Sequence, residues 1–441
     1  MTRPLHPPFP DRAALAPLAA SLAQQDWTEA ALTLHLRQRL PGNQPARAAQ
    51  LARSLLRRFP ARAAPDAAQI LRHLRGSPQG RAVLAHARRY HVLPAHSLTS
   101  PAFNPIPPLQ NLPLPPMVSE ADLADWLAIT PDQLTRFADL RGLSARTDSP
   151  WAAHYHHHLI PKSNGQLRLI EEPKPFLKRL HRRILSGLLN HIPPHPAAYG
   201  FVQGRNCLQA AARHAGEQIV VSFDLAHFFP SIRFPQIYAL FRAFGYPAQV
   251  ARSLAGLTTA ITPAAILRQA GLAARDQLSN RHLPQGAPTS PALANLVALH
   301  LDRRLAGLAQ SLDATYTRYA DDLTFSGDTR IAAVLHRAVP QIVAEQGFVL
   351  NPSKTRAQPS HHRQTVTSIT VNATLNPARE SYDLLKATIH HLTRPSDPRR
   401  HDLGFLASLQ GRIAWVAQIN PAKGAKLQDR LATALLTRSD S

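Results

Sequence analysis

Apolar and polar positions divide the chain into three textures. Between Arg12 and about His96, segments such as TEAALTLHLRQRLP, ARAAQLARSLLRRFP and PDAAQILRHLRG carry apolar residues at helical spacing and are broken by Pro. They predict an α-helical N-terminal extension over residues 1–103. The stretch NPIPPLQNLPLPPM cannot be helix or central strand, because Pro fixes φ and removes amide donors. It predicts an extended linker over residues 104–118. Beyond it, strand-like alternation and helical periodicity interleave, which predicts a mixed α+β body.

Within that body, Ser119 with Asp122, and Thr130 with Pro131 and Gln133, are start signals for two short helices. Leu123, Trp126 and Leu127, then Leu134 and Phe137, give them apolar stripes suited to packing against each other; a DNA-reading helix-turn-helix is the alternative. HYHHHLIPKSNGQLRLIEEP reads as a hairpin turning at Ser163-Asn164-Gly165. His154, His156 and His158 would share one strand face, either as a metal site or as a strip facing solvent or nucleic acid. No carboxylate or cysteine stands at ligand spacing beside them, which favours the strip. PFLKRLHRRILSGLLNHI is then a basic amphipathic helix.

Composition adds a partner and a compartment. With 441 residues, 44% of them hydrophobic, the chain can bury a sizeable core in two or three domains. Fifty Lys and Arg against 27 Asp and Glu give a net charge of +23, mostly from Arg. Counterion release from phosphates rewards such a surface, so a polyanion is the expected partner; a coding bias toward Arg and Pro is the alternative. Cys207 is the single cysteine, which excludes an intramolecular disulfide and a cysteine-rich zinc site. No uninterrupted apolar stretch reaches bilayer length and the N-terminus lacks a signal-like core, so a soluble cytoplasmic protein without a membrane partner is expected.

The chemistry concentrates in acids. YTRYADDLTF sets Asp321 and Asp322 side by side between two strand-like stretches, where their charges repel unless a cation compensates. EQIVVSFDLAHFFPSI ends an apolar strand at Asp224, a costly place for a carboxylate without a task. Alone, Asp224 could cap the helix-like stretch that contains Phe228 and Phe229; together, the three acids could hold two divalent cations. Hard oxygen ligands suit Mg²⁺, and two such ions serve in-line phosphoryl transfer.

Six blocks in order, IPKSNGQLRLIEEP, SFDLAHFFPSI, LPQGAPTSPALANL, RYADDLTFSG, GFVLNPSKTR and VTSITVN, resemble those of reverse transcriptases, more narrowly the bacterial retron type. The resemblance implies a right-hand polymerase: fingers and palm with an antiparallel sheet over residues 119–372 and a helical thumb over 373–441. It implies that Asp224 and Asp321 ligate two Mg²⁺ ions, with Mn²⁺ as a substitute, that Asp322 contributes less directly, and that the Leu225 carbonyl adds an oxygen. Lys162 and Arg168 match triphosphate-clamping residues of the fingers, and Gln285 matches a contact to the incoming nucleotide. Phe229 falls where the family places its steric gate against a 2′-OH, with a core aromatic as the alternative; Phe228 reads as core. Lys354 matches the lysine assigned as general acid for pyrophosphate, with a solvated lysine as the alternative. Val366, Thr367 and Ser368 match the primer grip. In LPQGAPTSPALANL, Ser290 reads as the cap of the helix beginning at Pro291.

The implied reaction is RNA-directed DNA synthesis from dNTPs, extending a primer 3′-end or an RNA 2′-OH. The implied partners are a dedicated structured RNA, its RNA–DNA hybrid product and an effector or toxin encoded nearby, within an antiphage system. Two stretches depart from the retron pattern. AAARH, ending at His214, stands where NAxxH is usual, and VTS, ending at Ser368, stands where VTG is usual. They bear on which RNA is bound and how synthesis is primed, not on polymerase chemistry. The alternatives are another bacterial reverse transcriptase, of a non-retron defence or intron-like kind and perhaps template-independent, or a non-catalytic RNA-binding module. The intact acid triad argues against the last.

Overall fold

Helical spacing of Leu and Ala governs the first part of the chain. The computed structural model describes residues 11–23, 25–40, 45–60, 65–90, 102–146, 152–162, 164–269, 271–394 and 396–436. Its early helices are Asp11–Leu22, Glu29–Arg39, Pro45–Arg58, Ala67–Gly76 and Pro78–Tyr90. Leu15, Leu18, Leu32, Leu36, Leu51, Leu55 and Ile70 bury their stripes in one core. The chain divides into two compact units, Met1–Pro101 and Ala102–Ser441.

The Pro-rich segment differs from the extended linker expected of it: it is built into the second unit. The Asn104 and Ile106 amides donate to the carbonyls of Gly245 and Ala243 at 2.9 and 3.2 Å. Phe103 lies 5.1 Å from the Tyr246 ring, the Tyr246 hydroxyl donates to the Pro115 carbonyl, and Leu114 and Met117 are buried. Pro removes donors, but it leaves carbonyls, flat rings and the intervening apolar residues free to bury. The helices Glu120–Leu127 and Pro131–Ala138 come next, each opened by a reciprocal capping box, Ser119 with Asp122 and Thr130 with Gln133. Each box contributes about 1 kcal/mol.

Strands β1 (Tyr155–Pro161) and β2 (Leu167–Pro173) pair antiparallel, Ile160 opposite Arg168. Ser163 of their turn lies outside the described residues. The histidines do not form the three-residue face expected. His156 and His158 are exposed on one face, whereas His154 precedes the strand and is buried against Phe137, their rings 5.1 Å apart.

Four strands make the central antiparallel sheet in the order β4-β5-β3-β6: β3 (Ile219–Asp224), β4 (Thr315–Tyr319), β5 (Asp322–Gly327) and β6 (Arg356–Pro359). The near-continuous apolar run of β3 reflects its central position, buried on both faces. Flanking helices cover the sheet, with Phe223, Phe325, Leu323, Leu335 and Val339 in the common core. A small hairpin of β7 (Thr365–Val366) and β8 (Ile369–Thr370) joins Val220 of β3 and Ile419 through Val366, Ile369 and Val371. The chain closes with the helices Arg379–His391, Leu403–Ile419 and Pro421–Leu436, which bury Leu385, Ile389, Leu409, Ile413 and Leu427 together. No described helix is long and apolar enough to cross a membrane.

Candidate active site

Strand register brings the acids together. Asp224, the last residue of β3, stands directly opposite Asp322, the first of β5, and opposed residues of an antiparallel pair share a face. Asp321 lies in the two-residue turn between β4 and β5, where Ala320 adopts a left-handed φ of 57°. The Asp321 carbonyl accepts the Leu225 amide at 2.9 Å, tying the turn to the end of β3.

Two of these carboxylates, Asp321 and Asp322, resist ionisation. Partial desolvation, then the Asp224 charge, raises Asp321 above the usual carboxylate range. Desolvation at the cleft wall, with the charges of Asp321 and Asp224, pushes Asp322 up to about 6. The Lys354 ammonium lies 2.8 Å from Asp224 Oδ2. Partial burial alone would lower Lys354, but the bond to Asp224 and the charges of Asp321 and Asp322 hold it above the ordinary lysine value.

The hairpin of β1 and β2 aims two further cations this way. Lys162 sits just beyond Pro161, its amide donating to the Gln166 carbonyl at 2.7 Å, and is half-buried. Desolvation, the adjacent Arg168 and Lys354 lower its pKa, while Asp224 and Asp321 oppose them. Gln285 is half-buried in the loop beside β2, its carbonyl accepting the Glu171 amide at 2.8 Å. Its neighbour Gly286 has φ 131°, and a Cβ there would stand 3.0 Å from the Glu171 carbonyl oxygen. Ser290 is the first residue of its helix rather than the cap: Thr289 precedes the helix, and the buried Ser290 hydroxyl has no hydrogen-bond partner among the described residues. The Thr289 side chain is already engaged by the buried His181, 2.6 Å away.

A cleft of about 400 Å³ joins the acids to the small hairpin. Asp224, Asp322, Lys354 and Arg356 line it together with Val366, Thr367 and Ser368. Thr367 and Ser368 form the tip of that hairpin with φ of 47° and 67°, the left-handed pair that a tight two-residue β-turn requires. Phe228 is buried against Phe348, as expected, whereas Phe229 is half-buried, 5.5 Å from Phe228.

Three features here were not legible in the sequence. Phe201 is 51% exposed, with φ 61°, and its ring lies 6.0 Å from Phe229 and 6.5 Å from Tyr319. The preceding Gly200 approaches the acidic turn so closely that a Cβ would stand 2.5 Å from the Ala320 nitrogen. Arg318 is fully buried and grips Asp302 with Nε and Nη2, while its Nη1 donates to the Ala320 carbonyl at 3.0 Å. His214 joins β4 to β5, with Thr317 Oγ1 2.7 Å from Nε2 and Ser326 Oγ 2.8 Å from Nδ1. The motif GF, the Arg before YADD and the His of AAARH were the available signals.

Among the described residues, no group of three or more His, Cys, Asp or Glu side chains is placed to hold a metal ion by itself. The acids form an open edge of hard oxygen donors instead. That fits Mg²⁺, which keeps waters and takes phosphate oxygens for the rest of its shell. Carboxylates that resist ionisation at the end of a sheet, with cations on separate elements beside them, belong to a class of site suited to phosphorylated substrates.

Comparison with known proteins narrows this class. The family described as Reverse transcriptase (RNA-dependent DNA polymerase) matches residues 160–371. The retron Mx65 reverse transcriptase of Myxococcus xanthus is 41% identical over 318 residues, covering 72% of each chain. The retron Mx162 reverse transcriptase of the same organism is 37% identical over 65% of this chain and 62% of its own. The retron Ec86 reverse transcriptase of Escherichia coli is 30% identical over 64% and 81%. The chain belongs to the retron-type reverse transcriptases, and it is an RNA-directed DNA polymerase.

Proposed function

We propose that the second unit is a right-hand polymerase whose palm carries the acid edge, and that it adds dNTPs by two-metal phosphoryl transfer. The observation that carries this is the register of Asp224 against Asp322, with Asp321 beside them in the turn between β4 and β5. Asp224 and Asp321 hold two Mg²⁺ ions, Asp322 supports them from the cleft wall, and the Leu225 carbonyl adds an oxygen. Mg²⁺ held by these residues would supply Lewis-acid chemistry, lowering the pKa of an attacking hydroxyl and offsetting charge on the leaving pyrophosphate. Lys162 and Arg168 clamp the triphosphate from the fingers, and Gln285 rests against the incoming nucleotide. Phe229 stands under the sugar as steric gate, and Phe201 backs it. Lys354 supplies a proton to the leaving pyrophosphate, a role supported by the position of its ammonium, 2.8 Å from Asp224 Oδ2 in the same cleft. Val366, Thr367 and Ser368 hold the primer end, and the three C-terminal helices act as a thumb along the hybrid duplex.

The template we infer is a dedicated structured RNA, copied in the cytoplasm as part of an antiphage system with an effector encoded nearby. The retron relatives support this reading. Its test is the nucleic acid that co-purifies with the protein. A branched species sensitive to both RNase and DNase is expected; clean protein, or DNA alone, contradicts it.

A further inference from the structure

The N-terminal unit holds none of the residues above, yet it carries a large share of the charge. Residues 1–101 contain fourteen arginines and no lysine against four acids, a net +10 of the chain's +23. Two of those acids are engaged locally. Asp66 caps the helix Ala67–Gly76 by accepting the Gln69 amide at 2.7 Å, and Glu29 faces Arg53 at 3.7 Å. Among the described residues, no carboxylate lies within ion-pair distance of Arg58 or Arg72.

Those two arginines open on a cleft of about 550 Å³ between Pro45–Arg58, Ala67–Gly76 and the start of Pro78–Tyr90. Phe59 lines it, with the Arg58 guanidinium 5.6 Å from its ring centroid and His73 edge-on at 5.9 Å. Gln69 and Gln79 add amides to the wall. The buried Ser54 hydroxyl fixes that wall, 3.0 Å from His73 Nε2 and 3.4 Å from Gln79 Oε1.

This set matches one ligand chemistry. Planar guanidinium forks suit phosphate oxygens, and a total absence of lysine favours such bidentate contacts over point-charge attraction. A half-buried aromatic flanked by guanidinium offers a stacking face to an unpaired base, and amides can read its edge. A duplex would present phosphates without an accessible base, leaving Phe59 and the amides without a role.

We propose that the N-terminal unit is a second RNA-binding module, its Arg58–Arg72 cleft holding single-stranded RNA by phosphate pairing and by a base stacked at Phe59. The proposal rests on the chain acting on RNA and not on the roles given to the carboxylates. Its failure is therefore separable from theirs.

The test uses the full chain and a labelled uridine oligoribonucleotide, with affinity read by fluorescence anisotropy across a salt series. R58E/R72E should bind at least tenfold more weakly. The slope of log affinity against log salt should fall by about 1.4, since each single-strand phosphate contact contributes roughly 0.7. R58K/R72K should keep the slope and lose part of the affinity. Extension of oligo(dT) on poly(rA) at saturating primer–template should stay at the wild-type rate in both. Wild-type affinity and slope in R58E/R72E would overturn the proposal, as would a loss of extension rate matching the loss of binding. Should R58E/R72E fail to fold by circular dichroism, R58Q/R72Q gives the same slope test without introduced acids.

Discussion

Arg318 and Asp302 form a fully buried two-pronged ion pair, Nε to Oδ1 at 2.8 Å and Nη2 to Oδ2 at 2.7 Å, immediately behind the acidic turn. The remaining prong of Arg318 reaches the Ala320 carbonyl, and Asn295, bonded to Arg318 at 3.0 Å, holds the Gly200 carbonyl at 2.9 Å. One guanidinium thus joins a helix, the turn and the loop bearing Phe201. Arg318→Met should destabilise the fold by about 3–5 kcal/mol, because it strands a buried carboxylate. Arg318→Lys keeps the charge but not the fork, so it should fold while kcat falls roughly tenfold or more, as expected when reacting groups are slightly misplaced. Urea denaturation and steady-state extension kinetics separate the two effects.

The aromatic pair predicts sugar selectivity. Phe229→Val should raise the ratio of rNTP to dNTP kcat/KM by roughly 10–200-fold, the range that removal of one steric contact allows. Phe201→Ala should shift the same ratio in the same direction by less, since it removes only the backing ring. An equal loss for both nucleotide classes in Phe201→Ala would show that its ring does not support the gate.

Ser368 holds φ 67° without being glycine. Ser368→Gly should relieve the left-handed cost, offset partly by greater freedom in the unfolded chain, for a net gain of about 0.5–1 kcal/mol. The thermal midpoint should rise accordingly.

His214 predicts a pH dependence of stability. Burial first, and the neighbouring Arg213 next, lower its pKa to about 3 from an ordinary 6.5. The unfolded chain therefore binds a proton that the folded chain refuses between those values. Its contribution is fully present above pH 6.5 and is lost as pH falls from there toward 3. In His214→Gln, urea midpoints should be lower at neutral pH and should decline less steeply over that window.

Much of the body was legible because its signals are local. The capping residues Ser119 and Thr130, the alternation of β2 and the apolar run ending at Asp224 each depend on a few neighbours, and each forms as the sequence predicts. The Pro-rich segment departs from its expectation because donor loss says nothing about burial, and Leu114 and Met117 supply it. Asp302 was invisible for a different reason. On its helix it looks like any solvated acid, and only the long-range approach of Arg318 and Tyr316 reveals a buried anion. Phe201 follows the same logic: the close approach of Gly200 to Ala320 sets it beside Phe229, and no spacing within the chain encodes that.

If the edge formed by Asp224 and Asp321 carries the chemistry, Mg²⁺-dependent incorporation of dTTP on poly(rA) primed with oligo(dT) must depend on both carboxylates. The decisive comparison is wild type against Asp321→Asn and Asp224→Asn. Wild type should incorporate dTTP in a reaction that EDTA abolishes, and neither variant should rise above background while both remain folded. Incorporation by Asp321→Asn at the wild-type rate would contradict this assignment.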